Sequence, residues 1–182
     1  MSEREERKSL IQYSMEGGLW LGLYLILRFF CGVLGVYSPI FDALALVLFV
    51  GTPYLLYRIM LAYHRQNDYI SSFSLLWMMG IMLFLFASLI TAIPEYIFYQ
   101  YISPDYVANA MKQSVKLIEE WGIMKDNTAV EELRSVAESG AVPSSLQMIF
   151  SSIWSNLFFG SILSIIVSPF VLRNKKSNNN NN

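Results

Sequence analysis

The sequence predicts an all-α membrane protein with four transmembrane helices and an extramembrane helical hairpin between helices 3 and 4. Three observations carry this. The 182-residue chain is 54% apolar and 15% aromatic. Its apolar residues run in four uninterrupted stretches, each at or beyond the ~20 residues a helix needs to cross hydrocarbon. The one long polar stretch between them carries helix caps rather than linker composition.

The spans follow in order. The first covers about 13–36 and closes at the turn Tyr37-Ser38-Pro39. The second covers about 40–63 and leads into the polar loop "HRQND" at 64–68. The third covers about 72–101 and the fourth about 146–172. Residues 1–12 form an N-terminal tail and 173–182 a C-terminal tail ending in an asparagine tract, a low-complexity composition that reads as disordered. The first span follows Arg4, Arg7 and Lys8, but glutamates are mixed among them and no small-residue cleavage site closes it, so it reads as an uncleaved span.

Orientation is read from Lys and Arg. The two tails and the exit of the second span (Arg58, Arg65) hold the basic residues of the short flanks, and four spans put all of these on one side. The 102–145 stretch has four basic residues against seven acidic ones. Both termini are therefore expected in the cytoplasm and 102–145 outside.

That outer insertion shows helix signals. Ser103-Pro104-Asp105 reads as a helix start: a cap, a proline at the first helical position and an acid at the positive end of the dipole. Val107, Ala110, Met111, Ser114, Ile118 and Trp121 recur at helical spacing, and Gly122 stops the helix. Thr128 and Glu131 form a capping box for a second helix ending near Gly140, and Ser144 with Gln147 caps the fourth span. The apolar face of 107–121 has three destinations: the membrane surface, the bundle, or a protein partner.

Ionisable groups inside a span are costly and need a reason. Glu16, Arg58 and Asp42 lie near span ends and reach water or headgroups. Arg28 lies about 12 Å below the outer end of span one and Glu95 about 9 Å below that of span three, at a 1.5 Å rise per residue. Matching depth and opposite charge predict a pair, with Pro94 bending the helix to turn the carboxylate inward. The alternative is that Arg28 snorkels outward and Glu95 sits in the headgroup zone. Tyr96, Tyr99 and Tyr101 fit an interfacial aromatic belt. Small residues repeat every four positions: Ser14, Gly18 and Gly22 in span one, and Ser152, Asn156, Gly160, Ser164 and Ser168 in span four. Such stripes let helix backbones approach closely. The sharper reading is a polar stripe lining a path, with Asn156 bonding across helices.

Composition also excludes function classes. Net charge is −1, which leaves no basic surface for nucleic acid. Cys31 is the only cysteine, so no disulfide or cysteine metal site forms within the chain. No catalytic or nucleotide-binding signature occurs. His64, the only histidine, reads as a solvated loop residue. No catalytic, cofactor or metal residues are expected, and the expected surroundings are the lipid bilayer, with a protein partner at 102–145 and a homo-oligomer as further possibilities.

"GLYLILRFF" in span one, "GTPYLLYRIMLAYHRQND" leaving span two and "SFSLLWMMGIMLFLFASLITAIPEYIFYQYISPDYVANAM" resemble a family of small membrane proteins, domain of unknown function 4199, common in Bacteroidota. The similarity covers roughly 13–172, and the stretch Phe86–Met111 is its most specific part. The resemblance implies a bacterial inner-membrane protein with four helices and an outward insertion before the last. It implies no activity. From the residues themselves, the leading functional reading is a non-catalytic scaffold, accessory subunit or envelope factor. The alternative is a small transporter or channel subunit using Arg28, Glu95 and the span-four stripe.

Overall fold

The computed structural model describes residues 9–35, 38–120, 135 and 143–174, and these are helical without strands. Helix α1 is Leu10–Gly35, α2 Pro39–Gln66 and α3 Phe73–Ile97, continued by a π-helical segment at Phe98–Ile102. Helix α4 is Tyr106–Glu120 and α5 is Ser145–Leu172. Four of these, α1, α2, α3 with its π extension and α5, are long and apolar enough to cross a membrane. At 26 to 30 residues each they measure about 39–45 Å, beyond the ~30 Å hydrocarbon, so their ends reach the headgroups.

Capping chemistry sets the boundaries. Ser9 and Gln12 form a reciprocal box: the Ser9 amide donates to Gln12 Oε1 at 3.1 Å and the Gln12 amide to Ser9 Oγ at 3.3 Å. This starts α1 three residues before the apolar run suggests. Ser144 and Gln147 make the same reciprocal pair at 2.9 and 3.3 Å and open α5 as expected. Ser72 Oγ accepts from the Leu75 amide at 3.2 Å at the start of α3.

Helix α2 runs into the expected loop and absorbs His64, Arg65 and Gln66. It closes in a Schellman arrangement: the Tyr69 amide reaches the His64 carbonyl at 2.9 Å and the Asp68 amide that of Arg65 at 3.2 Å. The motif requires a left-handed residue, and Asp68 supplies it at φ 52°, followed by Tyr69 at φ 63°. His64 is consequently not a solvated loop residue. It is 2% exposed, its ring meets Tyr69 edge-on at 5.2 Å, and its Nδ1 has no hydrogen-bond partner.

The insertion begins differently from the expected start. Ser103-Pro104-Asp105 forms a turn, and α4 starts at Tyr106, with the Asn109 amide on the Asp105 carbonyl at 3.0 Å. Along α4, Val107 is buried and Ile118 half-buried, while Lys112, Gln113 and Lys116 are exposed. This is the amphipathic split the spacing predicts. Trp121, Gly122 and, apart from Ser135, the expected second helix from Thr128 to Gly140 lie outside the described residues, so the hairpin is described only through its first helix.

By contacts the chain divides into two compact units, Met1–Ala92 with Ser152–Asn182, and Ile93–Ser151. The core of the first joins Leu21 and Leu25 of α1, Leu56, Met60 and Leu61 of α2, Leu76, Met79 and Leu83 of α3, and Val167 and Val171 of α5. Small residues bring the helices together. A Cβ built on Gly18 would lie 2.6 Å from Phe86 Cβ and 3.2 Å from the Leu83 carbonyl oxygen. One on Gly22 would lie 3.2 Å from Ile90 Cβ. The pair Gly18 and Gly22 is thus the seat of α3 on α1.

The outside of this unit is as apolar as its core. Trp20, Ile40, Val50, Trp154 and Phe158 are each about two-thirds exposed or more, whereas Ser14, Ser88, Thr91, Ser164 and Ser168 are buried. In water such a surface would be a large apolar patch driving association. Against lipid tails it carries no penalty, and every helical backbone bond is made within its own segment. The chain is a multi-pass membrane protein.

Candidate functional site

Three sets of polar residues sit within the spans. The first is on α1 and α2. Pro53 has no amide hydrogen, so α2 stays continuous but lacks the backbone bond to the Phe49 carbonyl. One turn upstream, the Leu48 carbonyl accepts the Thr52 hydroxyl at 3.1 Å and the Tyr24 hydroxyl of α1 at 2.6 Å. Gly51 makes room for that tyrosine, since a Cβ there would lie 2.5 Å from its hydroxyl oxygen. One turn beyond Tyr24, half-buried Arg28 places its guanidinium carbon 4.8 Å from the centroid of the Phe49 ring. This is a cation–π contact across α1 and α2. Sequence reasoning missed it, because Phe49 is one apolar residue among many on its helix. Phe49→Leu is expected to lower stability by about 1 kcal/mol, the range for a partly desolvated cation–π pair. Thermal melting in nanodiscs checks this, and the loss should vanish in an Arg28→Leu background.

The second set lies in the other compact unit. Glu95 follows Pro94 in the last turns of α3 and is 7% exposed. Just beyond, the Ser103 amide reaches five residues back to the Phe98 carbonyl at 2.9 Å, the bond that defines the π segment. Phe98, Tyr99 and Tyr106 cluster there, with centroids 5.2 Å apart for Phe98–Tyr106 and 5.6 Å for Phe98–Tyr99. They hold the start of α4 on the π segment. Tyr101 is exposed, as an interfacial tyrosine is. Ser145 Oγ donates to Gln100 Oε1 at 3.0 Å, tying the start of α5 to the same segment. Glu95 is therefore embedded in protein. Arg28 and Glu95 belong to different units, and their pairing rests on their matching depth in the sequence.

The third set is the small-residue stripe of α5. Ser152 and Asn156 are half-buried, and Gly160, Ser164 and Ser168 are buried. Gly160 lies against the Phe84 ring, and Ser164 against Gly80. The hydroxyls of Ser164 and Ser168 bond back to the carbonyls of Gly160 and Ser164, each at 2.6 Å. Their polarity is spent within the helix, and the stripe is a packing surface at Gly160 and Ser164. Beside the stripe that contains Asn156, a hydrogen bond from α3 to α5 falls on Ser161, which accepts from Trp77 Nε1 at 3.2 Å.

Among the described residues no cluster of three or more His, Cys, Asp or Glu side chains could hold a metal ion. A family model described as a protein of unknown function (DUF4199) matches residues 17–173. No curated protein and no solved structure matches the chain.

Proposed function

This chain belongs to the DUF4199 family, and from that premise we propose that it is a non-catalytic scaffold, accessory subunit or envelope factor of a bacterial inner membrane. The observation that carries the reading is α4, an amphipathic 15-residue helix mounted on the π segment between two spans. The aromatic seat fixes where α4 starts, and the exposed Lys112, Gln113 and Lys116 leave its polar side to a partner. Both termini lie in the cytoplasm, where Lys and Arg of the short flanks collect. The acidic insertion then faces outward and presents the exposed Lys112, Gln113 and Lys116. Crosslinking in native membranes through a photoreactive residue at Gln113, followed by purification of the full chain, is expected to return the same protein repeatedly. Return of lipid adducts alone from several such positions would contradict the partner-facing role.

A second reading, a small transporter or channel subunit, is favoured by one observation: a buried carboxylate directly after a proline within α3 and three residues before a π segment. Proteoliposomes would then show a flux that disappears in Glu95→Gln. Tight liposomes across monovalent cations, protons and anions would dispose of it.

A further inference from the structure

Between α2 and α5, within the first unit, runs an open groove of about 440 Å³. Pro53, Tyr54 and Tyr57 form one wall, Ile166 and Phe170 the other, and Arg173 is the one charged residue that lines it. Tyr54, Ile166 and Phe170 are all more than half exposed, and in a multi-pass membrane protein the medium they meet is lipid. The level of the charged end is fixed by Asn174, whose Nδ2 donates to the Tyr57 hydroxyl at 2.9 Å and to the Phe170 carbonyl at 3.2 Å. Arg173 precedes Asn174, and Arg58 follows Tyr57. Arg58 bonds one wall from behind, with Nη1 3.4 Å from the hydroxyl of the groove-lining Tyr54, but it lines a separate hollow with Glu16 rather than this groove. Arg173 sits where the 28-residue α5 ends, which is at headgroup level.

We propose that this groove is a binding site for an anionic phospholipid. One acyl chain lies along Pro53, Ile166 and Phe170, and the phosphate is held by Arg173. The charge order fits a lipid: an apolar slot open to the bilayer, then a cation at the depth of the phosphates, with no carboxylate lining the slot. Guanidinium forks match phosphate oxygens two at a time. A cation with no lining acid favours a headgroup of net negative charge over a zwitterionic one. A second copy of the chain fits less well, because it would have to bring an acid to headgroup level opposite Arg173.

The test uses the full chain in nanodiscs of equal phosphatidylglycerol and phosphatidylcholine, released for native mass spectrometry. The expected result is retained phosphatidylglycerol in excess, with the excess falling roughly fivefold in Arg173→Gln and staying unchanged in Arg58→Gln, whose side chain lines the neighbouring hollow. Ile166→Trp, which fills the slot and leaves both charges, should lose the retained lipid, and it keeps the proposal testable if the glutamine variants fold poorly. Equal retention of the two lipids, unchanged by any of the three variants, would mean ordinary boundary lipid and would overturn the proposal. So would disulfide crosslinking of Ile166→Cys between two copies in native membranes, in a Cys31→Ala background, since that would put a second chain over the groove.

Discussion

Gly18→Leu is expected to lose about 3 kcal/mol or more, the upper range for forcing side-chain volume into a packed interface. The site leaves no way out. A Cβ at Gly18 already meets Phe86 Cβ at 2.6 Å, the Leu83 carbonyl oxygen at 3.2 Å and the Ala87 amide nitrogen at 3.5 Å. Two of those three atoms are backbone of α3, so relief requires the helices to separate. Separation would also unseat Gly17 from Leu83 and Gly22 from Ile90. In a bilayer no apolar driving force between helices compensates, because lipid tails solvate the parted faces as well as side chains do. Gly32→Ala is the control. Nothing lies within 4 Å of a Cβ there, so the change should be neutral or gain up to about 1 kcal/mol from helix propensity. Melting curves of both variants in nanodiscs separate a packing glycine from an incidental one.

Leu83→Ala is expected to cost about 2–5 kcal/mol, the range for truncating a fully buried leucine. Leu83 is 0% exposed and packs in the centre of the first unit, with one methyl at the position Gly17 leaves open. Its loss leaves a void among α1, α2 and α3 that no lipid tail reaches. Leu89→Ala, six residues along the same helix, removes the same atoms from a side chain that is half exposed. Lipid fills that space, so the expected loss is well under 1 kcal/mol. Similar losses at the two sites would mean that Leu89 also faces protein, and that an oligomer covers it.

The spans were the legible part of this sequence, and the reason is physical. Hydrocarbon demands about 20 apolar residues in a row and tolerates few exceptions, so the four runs could be located within a few residues from composition alone. The contact surfaces at Gly18, Gly22, Gly160 and Ser164 were legible for a related reason, since close backbone approach needs small residues at helical spacing. The start of α1 could also have been read: Ser9 and Gln12 are a capping box written in the sequence, three residues ahead of the apolar run.

Other features were set by atoms far apart in the chain. His64 looks like a loop residue beside Arg65, yet the Schellman closure at Asp68 keeps α2 helical through Gln66 and buries the ring. Arg28 announces itself as a buried charge, but nothing in its neighbourhood along the chain points to the Phe49 face. The π segment after Glu95 depends on how the chain leaves a proline-containing helix, which residue type alone does not set. Ser164 and Ser168 looked like a polar stripe, and the outcome turned on rotamers that direct both hydroxyls to their own helix.

The central claim is that four spans place the two ends of the chain on one side of the bilayer and α4 on the other. Cysteine accessibility in intact cells tests it most directly. In a Cys31→Ala background, single cysteines are placed at Ser9, Lys112 and Asn174 and exposed to a membrane-impermeant maleimide that passes the outer membrane. The account predicts labelling of Lys112→Cys in intact cells, and of Ser9→Cys and Asn174→Cys only after the inner membrane is opened. Labelling of either terminal position together with Lys112→Cys in intact cells would contradict the four-span arrangement. Labelling of both termini without Lys112→Cys would invert the orientation.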